Sequence, residues 1–81
     1  MKAVVLVRPK DGILDPQGEA VQGSLQKLGF EVGSVRVGRV IDVELAARDE
    51  DDARLQVERM CSELLANPLI ESVQIRVEPE A

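Results

Sequence analysis

Apolar and polar residues follow two different spacings along this chain, and these spacings divide it into strands and helices. The run KAVVLVR at residues 2–8 is rich in β-branched residues and ends at Pro9, so it predicts a first strand that is apolar on both faces. Residues 31–47 alternate apolar and polar side chains in two stretches joined near Gly38, which predicts a hairpin. The alternation in IESVQIRVE, residues 70–78, predicts a last strand.

The segments between these strands have helical spacing. Asp15 is a good N-cap with Pro16 in the first helical position, and the first helix is predicted to end near Leu28. Residues 48–68 predict a second helix, with acidic residues at its start, where the helix dipole favours negative charge, and with Asn67-Pro68 at its end. The predicted buried stripe of this helix consists of Ala53, Val57, Met60, Cys61 and Leu64.

The order of the elements indicates a single α+β domain, residues 1–81. It is the order of the ferredoxin-like βαββαβ fold, a four-stranded antiparallel sheet with two helices on one face. Because the helices cover only one face, half of the apolar side chains of the first strand are expected to point away from them. Exposed apolar patches usually mark contact surfaces. We therefore expect a homodimer or homotetramer whose sheet contact includes Ala3, Val5 and Val7.

Composition narrows the possible partners. A chain of 81 residues with one cysteine and no histidine cannot form an intrachain disulfide and lacks histidine ligands for zinc, so self-association is the remaining way to stabilise a small core. The single thiol favours a reducing, cytoplasmic location. The net charge of −5 and the single aromatic residue, Phe30, argue against nucleic acid. The apolar run at residues 3–7 is too short to span a membrane.

Few side chains have the character of catalytic groups. Asp42 and Glu44 lie on the same side of a predicted strand and could form a carboxylate pair, but a solvated strand face is the simpler interpretation. Cys61 lies on the apolar stripe of the second helix, which favours a buried, inert thiol over a nucleophile. Arg8 and Lys10 could hold an anion, although charges at a strand end more often keep a sheet soluble.

No stretch matches a phosphate-binding or metal-binding motif. Gly12 and Gly18 fit neither a P-loop nor a dinucleotide fingerprint, and the acidic run at residues 49–52 is too contiguous for a calcium loop. No catalytic residue, cofactor site or metal site is expected. Acylphosphatase-like enzymes share the predicted topology, but their glycine-rich loop around an arginine is absent near Arg8. A ligand-binding regulatory domain of the ACT type remains an alternative, because its ligand sites consist mostly of backbone at subunit interfaces.

Three blocks of sequence resemble one known family. They are GILDPQGEAVQGSLQKLGF at residues 12–30, VRVGRVIDVEL at residues 35–45 and ERMCSELLANPLIESVQI at residues 58–75. Together they resemble the PurS subunit of phosphoribosylformylglycinamidine synthase, in the order and spacing of that family. The chain differs in carrying Ser72 and Val73 where family members often have an aromatic residue.

The resemblance implies a non-catalytic small subunit of a purine-pathway enzyme. A glutaminase subunit would release ammonia, a large synthetase subunit would use it with ATP, and this chain would bridge the two and support the transfer. ATP and glutamine would thus be used by the partner subunits, and this chain would need no cofactor. The resemblance also implies self-association. The expected contacts with partners or with a neighbouring protomer are Asp15, Pro16, Gln17, Gly18, Arg36, Gly38 and Arg39.

Overall fold

The computed structural model describes residues 1–79, which form a three-stranded sheet, two α-helices and a short π-helical turn. None of the helices in this range is long and apolar enough to cross a membrane. In chain order the elements are β1 Lys2–Pro9, α1 Pro16–Lys27, β2 Arg39–Glu44, α2 Glu50–Met60, the π turn Cys61–Leu65 and β3 Glu71–Glu78.

The sheet has the order β2-β1-β3, and both outer strands run antiparallel to β1. Val5 lies opposite Ile41 on one side and Ile75 on the other, so the apolar alternation of all three strands falls in one register. Residues directly opposite one another share a face of the sheet. The placement of β1 at the centre, predicted from its continuous apolar character, is therefore confirmed.

The core lies between the sheet and α2. Ala53 and Val57 of α2 and Cys61 of the π turn are buried, and Val57 and Cys61 pack in one cluster with the β1 side chains of the same face. That cluster includes Ala3, Val5 and Val7, which are almost fully buried in the single chain. The expectation that these three residues form an open contact face is corrected accordingly, because α2 already covers them. The open face of β1 carries Lys2, Val4, Leu6 and Arg8 instead.

The predicted four-stranded sheet is wrong. Residues 30–38, which we call the return segment, contain no strand, although their alternation suggested one. Side chains of α1 form hydrogen bonds with the backbone of this segment. The side-chain amide of Gln22 donates to the Gly33 carbonyl at 2.8 Å, and that of Gln26 donates to the Val32 carbonyl at 3.3 Å. The return segment therefore runs beside α1 and does not pair with the sheet.

The second part of that prediction, two helices on one face of the sheet, is also wrong. Among the described elements, α2 packs against β1, β3 and the π turn. The helix α1 has no substantial interface with any of these elements. Its single buried residue is Gly18. We call α1 and the return segment together the arm. The two ends of α1 are those predicted from the sequence, since Asp15 caps its start and Gly29 takes a positive φ of 97° after its last turn.

The second predicted helix changes type near its end. After Met60 the backbone continues as a π turn, closed by a bond of 3.1 Å from the Ala66 amide to the Cys61 carbonyl. The wider turn rotates the following side chains relative to the α-helical stripe. Leu64, predicted to be buried, is consequently 83% exposed, whereas Ala53, Val57 and Cys61 are buried as predicted.

Candidate functional site: a junction of three motifs

The three sequence blocks meet at one end of the sheet. Because both outer strands are antiparallel to β1, the end of β1 lies beside the beginnings of β2 and β3, and Val7 is paired with Arg39 while Pro9 is paired with Glu71. The first turn of α1 lies at the same place. We call this region the motif junction and define it by Asp11, Asp15, Pro16, Gln17, Gly18, Arg36, Val37, Gly38, Arg39, Asn67 and Glu71.

Asp15 connects the first block to the second. One carboxylate oxygen accepts the Gly18 amide at 3.0 Å and caps α1, and the other accepts the Val37 amide at 2.8 Å. The Val37 and Gly18 hydrogen bonds hold the pKa of Asp15 below its usual value. The side chain predicted as a partner contact therefore has a structural role, because both of its oxygens bind backbone within the chain.

Gly18 and Gly38 allow backbones to approach closely at the junction. A Cβ on Gly18 would lie 2.2 Å from the Val35 carbonyl oxygen, and one on Gly38 would lie 2.3 Å from the Val7 carbonyl oxygen. Neither atom belongs to a flexible side chain that could move aside. Gly38 thus has a different role from the predicted hairpin turn: it lets the return segment pass against β1 before β2 begins.

Arg39 connects the second block to the third. Its guanidinium forms two hydrogen bonds to the Glu71 carboxylate, at 2.7 and 3.2 Å, and a further one to the Leu65 carbonyl. Glu71 also accepts the Asn67 amide at 2.7 Å. Arg39 lowers the pKa of Glu71, and Glu71 in turn raises that of Arg39. This network joins the starts of β2 and β3 to the end of the π turn.

The remaining predicted residues face outward. Pro16, Gln17 and Arg36 are exposed, and Arg36 forms a surface ion pair of 2.8 Å with Asp11. The structure therefore brings all seven predicted residues to one region but divides them by role. Asp15, Gly18 and Gly38 set the backbone, Arg39 joins elements, and Pro16, Gln17 and Arg36 are available at the surface.

A cleft of about 250 Å³ opens between these blocks. The pKa values of Asp15 and Glu71 lie below their usual range, which disfavours both as proton donors near neutral pH, and the chain contains no histidine. The arrangement is suited to binding. The cleft is lined on its two sides by Ile13, Leu14, Gln17, Arg39, Ile70 and Glu71.

The other candidate residues lie outside the junction. Asp42 and Glu44 are exposed on the open face of the sheet, opposite Val4 and Lys2, as expected for a solvated strand face. Cys61 is buried, as predicted, and its burial raises the pKa of the thiol. A second, mostly apolar cavity of about 260 Å³ lies beside it, between the π turn and β3.

The structure also gives the positions of two surface cations and of the acidic run. Arg8 and Lys10 are exposed beside the ion pair of Arg36 and Asp11. The Asp11 carboxylate therefore lies within the basic cluster of Arg8, Lys10 and Arg36. The acidic residues at positions 49–52 begin α2: Asp49 accepts the Asp52 amide at 2.8 Å as its N-cap, and the others occupy the first turn. The predicted position of this run at the start of the helix, where the dipole favours negative charge, is confirmed.

Sequence reasoning missed two partners. Glu71 and Asn67 complete the Arg39 network. Both lie in the third block, where the sequence predicts a helix end at Asn67 and a strand that includes Glu71 but no contact with Arg39. Opposite charges such as Arg39 and Glu71 in two motifs indicate that the motifs could pair. A single sequence, however, does not show that the two side chains are close in space.

Comparison with known proteins assigns the family. A family model described as "PurS: Phosphoribosylformylglycinamidine (FGAM) synthase" matches residues 2–79. The chain belongs to the PurS family. The predicted resemblance is therefore confirmed. The Synechocystis sp. protein "Phosphoribosylformylglycinamidine synthase subunit PurS" is 48% identical over 69 residues, 84% of this chain and 67% of that relative.

Solved PurS structures share this fold over nearly the whole chain. Methanocaldococcus jannaschii PurS, described as one of the subunits of formylglycinamide ribonucleotide amidotransferase in the purine biosynthetic pathway, superposes with a TM-score of 0.88 and 38% identity, covering 99% of this chain and 98% of that one. A chain of the structure of PurLQS from Thermotoga maritima gives 0.84 and 32%, covering 93% of both chains. PurS is a subunit of FGAM synthase in purine biosynthesis.

Proposed function

We propose that this chain bridges the glutaminase and synthetase subunits of FGAM synthase and supports the transfer of ammonia between them. Membership of the PurS family supports the proposal, as does the presence of a similar chain in the T. maritima PurLQS structure. ATP and glutamine are then used by the partner subunits, this chain requires no cofactor of its own, and the complex acts in the cytoplasm.

The motif junction carries this proposal. The three blocks that define the family resemblance converge there, and its ionised groups are already paired within the chain. A surface of this kind presents a fixed backbone and a few free side chains, which lowers the ordering cost of binding a partner. Its occupied carboxylates favour a recognition site over a catalytic one.

Within the junction, the exposed side chains are assigned the contact role. Pro16, Gln17 and Arg36 would touch a partner subunit directly, whereas Asp15, Gly18, Gly38 and Arg39 would hold the surface in shape. The same division applies if the neighbour at this surface is a second protomer.

Self-association is also part of the proposed function. The radius of gyration of the chain is 16.0 Å, whereas a compact chain of this length has about 12 Å. An extended shape with an unpacked helix suggests that a homodimer or homotetramer is the working form.

The decisive experiment compares two activities of the purified glutaminase and synthetase subunits, with and without this chain. We expect glutamine-dependent amidine formation to require the chain, and amidine formation from added ammonium to proceed largely without it. Equal glutamine-dependent rates in both mixtures would overturn the proposal. A loss of the ammonium-dependent rate as well would show a role inside the synthetase and not in coupling.

A second experiment tests the junction with a matched control. The double variant Gln17→Ala, Arg36→Ala removes two exposed side chains of the junction, and Gln74→Ala, Arg76→Ala removes the same two residue types from the exposed face of β3. We expect the first to weaken assembly with the larger subunits at least about tenfold, equivalent to about 1.4 kcal/mol, and the second to leave it unchanged. Equal affinities would show that the junction is not the contact surface.

A further inference from the structure

Three cations lie together beside the motif junction. Arg8 of β1, Lys10 of the loop after it and Arg36 of the return segment form the basic cluster and line one open depression of about 360 Å³. All three side chains are exposed. The chain has a net charge of −5, whereas the three cations and the Asp11 carboxylate give this depression a local charge of +2. The sign of this local charge is therefore opposite to that of the whole chain.

Two of these cations have no ionic partner in the part of the chain that the structure describes. The side chains of Arg8 and Lys10 form no ion pair or hydrogen bond within residues 1–79. Carboxylates of the same chain do pair with three other arginines, which are Arg39, Arg48 and Arg59. The charges of Arg8 and Lys10 are therefore available to another molecule.

The third cation is held only by a surface ion pair. The Nη1 atom of Arg36 lies 2.8 Å from a carboxylate oxygen of Asp11, and the Asp11 side chain is 99% exposed. Exposed ion pairs contribute little to stability, because water and salt screen the two charges. A carboxylate from another molecule can therefore join Asp11 at Arg36, or replace it, with little loss to the fold.

The backbone that carries the basic cluster is fixed by the sheet and lies next to the motif junction. Arg8 is paired with Ser72 of β3, and the Lys10 amide donates to the Ile70 carbonyl at 2.9 Å. Arg36 itself belongs to the junction. A partner subunit that covers the junction therefore faces all three cations, on a backbone that needs little ordering when the partner binds.

We infer that the basic cluster binds a carboxylate-rich surface of the partner subunit that docks at the motif junction. This inference rests on the proposed function and adds the chemistry of the partner. Every polar side chain that lines the depression is exposed, so a small anion there stays in water and is held weakly. A protein surface excludes that water, which strengthens the same ion pairs. Complementary charge also raises the rate of association and fixes the orientation of the two surfaces.

Charge reversal with a matched control provides the first test. The double variant Arg8→Glu, Lys10→Glu inverts two cations of the cluster, and Lys27→Glu, Arg76→Glu makes the same change in net charge at two exposed cations elsewhere. Association of each chain with the larger subunits is followed at low salt. We expect the first variant to lower the association rate constant at least about tenfold, and the control to stay within about twofold of the parent. Circular dichroism verifies that both variants are folded.

Salt dependence of the same association provides the second test. Raising the ionic strength from about 0.1 M to about 1 M shortens the Debye length from about 10 Å to about 3 Å. We expect the association rate of the parent chain and of the control variant to fall at least about tenfold over this range. The rate of Arg8→Glu, Lys10→Glu should change much less or rise. A parent rate that salt leaves unchanged would contradict the inference.

The outcomes separate the inference from the proposed function on which it rests. A parent chain that assembles with neither larger subunit overturns both. A parent chain that assembles, while the two double variants associate at the parent rate or lose the same amount, overturns the inference alone. Saturable binding of inorganic phosphate to the parent chain, lost in Arg8→Glu, Lys10→Glu with assembly unchanged, would assign the cluster to a small anion and also overturn the inference.

Discussion

At the scale of single residues, two glycines determine whether the motif junction can form. A Cβ on Gly38 would meet the Val7 carbonyl at 2.3 Å, whereas a Cβ on Gly23, inside α1, would meet no atom within 4 Å. We expect Gly38→Ala to lower the free energy of unfolding by about 1–3 kcal/mol through overpacking. Gly23→Ala, its matched control, should raise helix stability by about 0.5–1 kcal/mol. Urea unfolding of both variants measures the difference, and equal stabilities would contradict the close approach.

The carboxylates of the junction give a prediction for pH dependence at the same scale. The folded-state pKa values of Asp15 and Glu71 lie below the usual 3.8 and 4.5. A lowered pKa stabilises the fold above the unfolded value, and that stabilisation is lost as pH falls through the folded value. Stability should therefore fall as pH decreases below about 4.5. Asp15→Asn should weaken this dependence, because the carboxamide that replaces the carboxyl group does not titrate.

The control for this experiment is Asp42→Asn, which changes an exposed carboxylate on the open sheet face. Urea titrations at pH 3 to 7 give the slope for each chain. If Asp42→Asn flattened the dependence as much as Asp15→Asn, the links made by Asp15 would not be its source.

At the scale of elements, the π turn decides which side chains hold α2 to the sheet. Val57 is fully buried and packs on β1, while Leu64 is 83% exposed after the change from α to π geometry. We expect Val57→Ala to cost about 2 kcal/mol in unfolding free energy and Leu64→Ala to stay within about 0.5 kcal/mol of the parent. A strictly α-helical continuation predicts a large loss for Leu64→Ala, so the two variants together test the turn.

At the scale of the whole molecule, the arm has no core of its own. Few buried apolar contacts support α1, and such regions open with a small free energy. We expect the amide hydrogens of α1 to exchange at least about tenfold faster than those of β1, because β1 lies at the centre of the sheet and its inward side chains are buried. Hydrogen exchange of the full chain measures both elements in one sample. Equal protection of α1 and β1 would show that α1 is held as firmly as the core.

The two ends of α1, the start of α2, the burial of Ala53 and Val57, and the family were determined by the sequence, because each depends on local chemistry. Asp15-Pro16 and Gly29 fix the ends of α1 through their own backbone preferences, and apolar spacing alone places Val57 inside. The motif blocks identify PurS as linear strings, without any knowledge of their contacts.

Tertiary structure alone decided the number of strands, the covered face of β1 and the position of α1. Alternation in the return segment indicates an extended backbone but does not choose its hydrogen-bond partner, and Asp15, Gln22 and Gln26 supply that partner from α1. Because β1 is apolar on both faces, its sequence could not say which set faces α2. The junction likewise joins residues more than 30 positions apart, such as Arg39 and Glu71, and only the folded sheet sets that distance.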